Sequence, residues 1–199
     1  MKNILFVCAM EKEALDITEK LELNKINENT YRKENITMLI TGIGKQRTAI
    51  RTMEYLGKNN KPDLIINIGY AGSTNLKVGE WVNITRSYNY DWNIDREEKY
   101  CMKDFGNQML ELLEDNSIQK VACYTSESFV TKTDIKESVA FDMELHSLAL
   151  ICDMYNIPLL SLKKISDNLS LDKYYENIEN ENLMELTSSL KWVIGDGLF

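Results

Sequence analysis

One histidine, His146, stands in the whole chain, and the four cysteines, Cys8, Cys101, Cys123 and Cys152, show no C-x-x-C spacing. No His/Cys cluster with metal-ligand spacing exists, so neither a metal nor another cofactor is expected. The dispersed cysteines sit mostly in apolar runs and read as reduced, buried thiols of a cytosolic, cytoplasmic protein. Basic residues are in deficit, 23 Lys and Arg against 31 Asp and Glu. The net charge of −8 and pI near 4.9 argue against a nucleic-acid surface or an anionic membrane as the main partner. Long hydrophobic runs are also missing. The apolar run Ile4 to Met10 stops at Glu11-Lys12-Glu13, too short to span a bilayer and without a small-residue cleavage site. It is expected to be a strand, not a signal peptide. No internal repeat, linker or low-complexity segment divides the 199 residues, so one domain over residues 1–199 is expected.

What remains alternates. Ile4 to Val7 reads as a strand buried on both faces, and Glu11 to Leu21 as a helix with Ala14, Ile17 and Leu21 on one stripe. Asn24 to Asn35 is polar and turn-prone, with a hairpin edge around Tyr31. A strand over Ile36 to Ile40 runs through Thr41-Gly42-Ile43-Gly44-Lys45 into a helix carrying Ala49, Met53 and Leu56. The Gly-x-Gly is no dinucleotide fingerprint, since Arg47 stands where the third glycine belongs, and no P-loop, since Gln46 follows Lys45. Pro62 opens a strand over Leu64 to Ile68 that ends in Gly69-Tyr70-Ala71-Gly72-Ser73, either a plain turn or room for a ligand at a sheet edge. Further strands are expected at Trp81 to Ile84 and Val121 to Tyr124, with a helix marked by Phe105, Met109, Leu112 and Leu113 between them and an exposed loop over Tyr88 to Lys99. Pro158 introduces a strand over Leu159 to Leu162, which leads to Lys164-Ile165-Ser166-Asp167. A polar stretch then reaches Asn182, and a last helix carries Leu183, Leu186, Leu190, Val193 and Ile194. Strands alternating with helices predict an α/β layered domain around a mostly parallel sheet.

At the centre, Phe141-Asp142-Met143-Glu144 places two acids ahead of a helix whose apolar face is Leu145, Leu148, Ala149 and Cys152. Taken alone, Asp142 as a cap and Glu144 as a complement to the helix dipole suffice. Together with the other strand ends, the pattern says more. Ala9-Met10-Glu11-Lys12-Glu13, Gly42-Ile43-Gly44-Lys45, Asn67-Ile68-Gly69-Tyr70-Ala71-Gly72, Phe141-Asp142-Met143-Glu144 and Ile165-Ser166-Asp167 resemble, in order, the motifs of the nucleoside phosphorylase/nucleosidase superfamily. Within it the chain is most similar to the hydrolytic branch, the 5′-methylthioadenosine/S-adenosylhomocysteine nucleosidases. The likeness covers nearly the whole chain.

The resemblance implies a three-layer α/β/α fold with a mixed, mostly parallel central sheet. It also implies hydrolysis of the N-glycosidic bond between adenine and a 5′-modified ribose. In that reading Glu13 activates the attacking water and Asp167 donates to adenine N7, with Ser166 holding its carboxyl group. Glu144 grips the ribose hydroxyls, and Met143 packs against the sugar. Phe129 stacks on the purine, backbone groups of Val130 read its edge, and Ala71 and Gly72 border the sugar. The chemistry asks for these residue types. Adenine is a poor leaving anion, and a free aspartic acid, with pKa near 3.9, is ionised at pH 7 unless burial raises it. Charge building on the ribosyl ring calls for a carboxylate, and the water needs another, a logic shared with glycoside hydrolysis.

The family also implies a homodimer and a small-molecule nucleoside as the partner. Two alternatives follow from it: a purine nucleoside phosphorylase using phosphate, and a non-catalytic nucleoside-binding relative. Phosphate-using members look like Gly-Asp-Pro-x-Arg near the first strand, where this chain has Met10-Glu11-Lys12-Glu13, and a carboxylate at Glu13 would repel phosphate. The chain departs from its family in Tyr70, where a small residue is usual, and in Asp142, one carbon shorter than the usual glutamate. It is also short around Asn93 to Tyr100 and between Val130 and Val139. His146 and the tryptophans Trp81, Trp92 and Trp192 are expected to pack rather than react.

Overall fold

The computed structural model describes residues 2–92, 110–114 and 116–180. β1 (Ile4–Cys8) is buried at every position, as an unbroken apolar run requires when both faces of a sheet are covered. Alternate side chains part company: Ile4, Phe6 and Cys8 join one core cluster, and Leu5 and Val7 the other. α1 (Glu11–Lys20) turns Ala14 and Ile17 inward. β2 (Asn24–Asn27) and β3 (Thr30–Lys33) form the edge hairpin expected around Tyr31, and β4 (Ile36–Ile40) joins it to β1. α2 (Lys45–Lys58), β5 (Leu64–Ser73), β6 (Trp81–Asn89), β7 (Leu110–Glu111) and β8 (Gln119–Thr125) follow, then β9 (Ala140–Asp142), α3 (Leu145–Tyr155), β10 (Leu159–Asp167) and α4 (Leu171–Asn180).

The described strands make one mixed sheet, parallel from β4 through β1 and β5 to β10. Beyond β5 the sheet closes on itself. β5 pairs with both β9 and β10, β10 with β6, β6 with β8, and β8 with β9. Antiparallel pairing is confined to the hairpin edge, the short β7, and the β5–β9 and β10–β6 joints. One core cluster takes in Ala14 and Ile17 of α1 and Leu21 just beyond its end, with Tyr174 and Ile178 of α4 against it. The other holds Leu145, Leu148, Ala149 and Cys152 of α3, with Tyr55 and Leu56 of α2. Helices therefore cover both faces, an α/β/α arrangement. The parallel strands β4, β1, β5 and β10 end at one edge, where a ligand of such a sheet belongs. No described helix is long and apolar enough to cross a membrane.

Several expectations need correcting. β5 runs through Gly69 to Ser73, so the glycine segment is strand rather than turn. β6 extends to Asn89, which takes Tyr88 and Asn89 out of the expected loop; its remainder from Asn93 lies outside the described residues. Leu112 and Leu113 follow strand β7 and bond to Thr85 and Leu159 carbonyls, so this end of the expected helix is extended, while Phe105 and Met109 lie outside the described residues. The polar stretch after Asp167 contains α4, whose Leu171, Tyr174, Tyr175 and Ile178 stripe is masked by charged neighbours. The expected last helix from Leu183, with Trp192, lies outside the described residues, as does Cys101. Cys8, Cys123 and Cys152 are buried and unpaired.

Candidate active site

At that sheet edge lies a cavity of about 280 Å³. Glu13, Ala71, Gly72, Phe129, Met143, Glu144, Ser166 and Asp167 all line it. Of the expected site residues only Val130 does not; it is half-buried, one step beyond Phe129.

Glu13 is the third residue of α1, and its carboxylate bends back over the strand-to-helix turn. Its Oε2 accepts the N–H groups of Ala9 and Met10, each at 2.9 Å, and its Oε1 accepts that of Tyr70 at 3.0 Å. This gives the helix start its missing acceptors and leaves the carboxylate almost fully buried. Burial raises its pKa against the opposing pull of Lys163 and the three N–H donors. The close approach depends on Gly69, since a Cβ there would stand 2.6 Å from Glu13 Oε1.

Asp167 closes β10, at a register shift that sets it opposite Gly72. A Cβ on Gly72 would come within 3.1 Å of its Oδ1. Ser166 Oγ donates to Asp167 Oδ2 (2.8 Å), with the Ala71 carbonyl 3.2 Å away as its alternative acceptor. The Ser170 N–H donates to Oδ1 (3.0 Å). Burial pushes the carboxyl upward, and these donors only partly offset it. Glu144 caps the start of α3 by position, but its side chain turns away and Oε1 accepts the Gly44 N–H at 2.9 Å. Asp142 instead takes the Leu145 N–H at 2.9 Å. Burial, then the neighbouring Asp142 carboxylate, push Glu144 up to about 8.

Beneath these acids sits Lys163, fully buried on β10, with its Nζ 2.9 Å from Asp142 Oδ2. Burial pulls its pKa down, but Asp142, Glu144 and Glu13 outweigh that and hold it raised, so it stays a cation. Composition and periodicity do not single it out. A lysine inside an otherwise buried strand that leads to an acid was the available signal. Also missed were Leu171, Tyr174 and Tyr175, which line the cavity from α4. The rings of Phe129 and Tyr174 meet at 5.6 Å, tilted by 60°. Tyr70 lines the cavity too, buried, on the face of β5 that carries Ile66 and Ile68. Among the described residues no arginine or lysine lines the cavity. His146 lies outside it, buried, sharing a hydrogen bond with Ser87 Oγ (3.1 Å) and lowered in pKa by burial and then by Lys45.

The family profile of the Phosphorylase superfamily matches residues 3–189. The chain belongs to that superfamily. Among relatives in the phosphorylase superfamily, the 5′-methylthioadenosine/S-adenosylhomocysteine nucleosidase of Buchnera aphidicola subsp. Baizongia pistaciae is 30% identical over 90% of this chain and 86% of its own. The enzyme of the same name from Anoxybacillus flavithermus is 24% identical, over 92% of this chain and 97% of its own. A solved structure of the Arabidopsis thaliana 5′-methylthioadenosine nucleosidase superposes with a TM-score of 0.84 at 18% identity, covering 100% of this chain and 98% of that one. That likeness carries the fold.

Proposed function

We propose that this chain hydrolyses the N-glycosidic bond of adenine nucleosides bearing a 5′-modified ribose, 5′-methylthioadenosine and S-adenosylhomocysteine, to free adenine and the 5′-substituted ribose. The observation that carries the reading is the convergence of Glu13, Glu144 and Asp167 on one cavity from three separate strand-to-helix junctions.

Each acid has surroundings suited to its part. Asp167, its carboxyl pushed upward by burial, is the group placed to donate to adenine N7 as the bond to the sugar breaks. Glu144, fixed by Gly44, meets the ribose hydroxyls. Glu13, raised by burial and held by three N–H donors, takes the proton of the attacking water. Met143 packs against the sugar, Ala71 and Gly72 border it, and Phe129 stacks on the base. Ser166 keeps the Asp167 carboxyl in place. Water, not phosphate, is the acceptor in this reading, because four carboxyl groups, Glu13, Asp142, Glu144 and Asp167, and no described cation line the cavity. We read the protein as a cytoplasmic homodimer, on the family likeness and the unpaired buried thiols.

The test is a product assay on methylthioadenosine, adenosylhomocysteine, adenosine and inosine, with and without phosphate. Free adenine from the first two without phosphate is expected, and its loss by about a hundredfold or more in Asp167→Asn. Undiminished adenine release by Asp167→Asn would remove the assigned acid.

A further inference from the structure

Away from the three acids, an ion pair ties the start of α2 to the chain just beyond β6. Lys45, the first residue of α2, pairs through Nζ with Asp91, just beyond the end of β6, and also donates to Asn89 Oδ1 at 3.0 Å. The side chains are 17% and 39% exposed, so the pair is shielded on the lysine side. Asp91 does more than meet a cation. Its Oδ1 accepts Ser126 Oγ–H (2.8 Å) and its Oδ2 accepts the Glu127 N–H (2.7 Å). Ser126 Oγ in turn accepts the Ser128 N–H (3.2 Å). The three residues leading into Phe129 therefore all hang on one carboxylate.

The other half of the ring returns to α2. Glu127 Oε2 accepts the Lys45 N–H (3.2 Å), and one residue earlier the Gly44 N–H holds Glu144. Lys45, Asp91 and Glu127 thus form a closed loop of contacts. On one side hangs the carboxylate assigned to the ribose, on the other the ring assigned to the base. Burial acts to raise the Asp91 carboxyl, but the bonds from Lys45, Ser126 and Glu127 hold it below its ordinary value, so it remains charged as the loop requires.

We propose that Asp91 is a positioning residue for the nucleoside: through Lys45 it locks the loop carrying Phe129 to the helix start that holds Glu144, so that base and ribose contacts are set as one unit. Asp91 itself does not line the cavity and touches no reacting atom in this assignment. The inference rests on the nucleosidase reading above for what the cavity binds.

The experiment is a double-mutant cycle with Asp91→Asn, Lys45→Met and the pair combined, read as KM and kcat for methylthioadenosine and as adenine affinity by calorimetry. Loss of charge-assisted bonds on a positioning group is expected to raise KM and the adenine dissociation constant roughly tenfold, with kcat within about threefold of wild type. The double variant is expected to be no worse than Asp91→Asn alone, since the two residues act through one contact. A purely structural role would instead lower the unfolding midpoint with KM unchanged. Unchanged KM in a folded Asp91→Asn, or additive effects in the double variant, overturns the proposal. Where Asp91→Asn does not fold, Lys45→Met carries the same KM and adenine predictions. Adenine binding needs no turnover, so wild type that binds adenine but releases none refutes the reaction while the variant ratio still reads the clamp. Wild type that neither binds nor releases adenine overturns both.

Discussion

The ion pair between Lys163 and Asp142 shows what a single residue does here. A buried lysine between carboxylates is tolerable only while its partners remain, and removal of one partner from a buried pair costs about 3–5 kcal/mol. Lys163→Met is therefore expected to lower stability by that order, measured by urea unfolding, with Asp142→Asn added to it recovering part of the loss. A loss below about 1 kcal/mol would contradict the account. The acids themselves were legible from the sequence because each ends an apolar strand or opens a helix. Lys163 was not, because its inward position depends on β10 being covered on one edge by β5 and on the other by β6, and that closure is set by partners distant in the chain.

At the scale of elements, the glycine-rich end of β5 is the informative case. Gly and small residues after an apolar run read either as a turn or as room for a ligand, and the strand continues to Ser73 with Ala71 and Gly72 lining the cavity. The glycines are there for space rather than for bending: at Gly69 and Gly72 the backbone itself faces Glu13 and Asp167. Gly69→Ala is expected to push the Glu13 carboxylate from its three donors. Misplacement of a catalytic group by about 1 Å costs on the order of a hundredfold in rate, so kcat for adenine release is expected to fall by that order while KM changes little. An unaltered kcat would show that Glu13 has no such part. α4 was hidden for the opposite reason. Its cavity-facing Leu171, Tyr174 and Tyr175 are spaced as one helical face, but Asp172, Lys173, Glu176, Asn177 and Glu179 dominate the composition.

Over the whole molecule, alternation of strands and helices predicted the layers, and the order of strand-end motifs predicted which edge would hold the cavity. The sheet closure was not legible, since β9 is a three-residue strand whose pairing with β5 and β8 leaves no periodic trace. Gathering the acids at one edge also has a cost in stability that pH exposes. Glu144, raised to about 8 when folded from an ordinary value near 4.5, binds its proton more tightly in the folded chain. Its contribution is therefore fully present at low pH and is lost as pH rises from about 4.5 through about 8, at up to about 1.4 kcal/mol per pH unit. Urea unfolding of wild type and Glu144→Gln between pH 5 and 8 is expected to show wild type losing stability relative to the variant as pH rises. Parallel curves would remove that coupling.

The central claim is that water, activated at Glu13 while Glu144 holds the ribose and Asp167 donates to the base, attacks the anomeric carbon. It is tested most directly by turning over methylthioadenosine in oxygen-18 water containing unlabelled phosphate, with borohydride reduction before the sugar exchanges its oxygen. The account predicts oxygen-18 in the released 5-methylthioribose, and no sugar phosphate. A ribose 1-phosphate product without the label would contradict it.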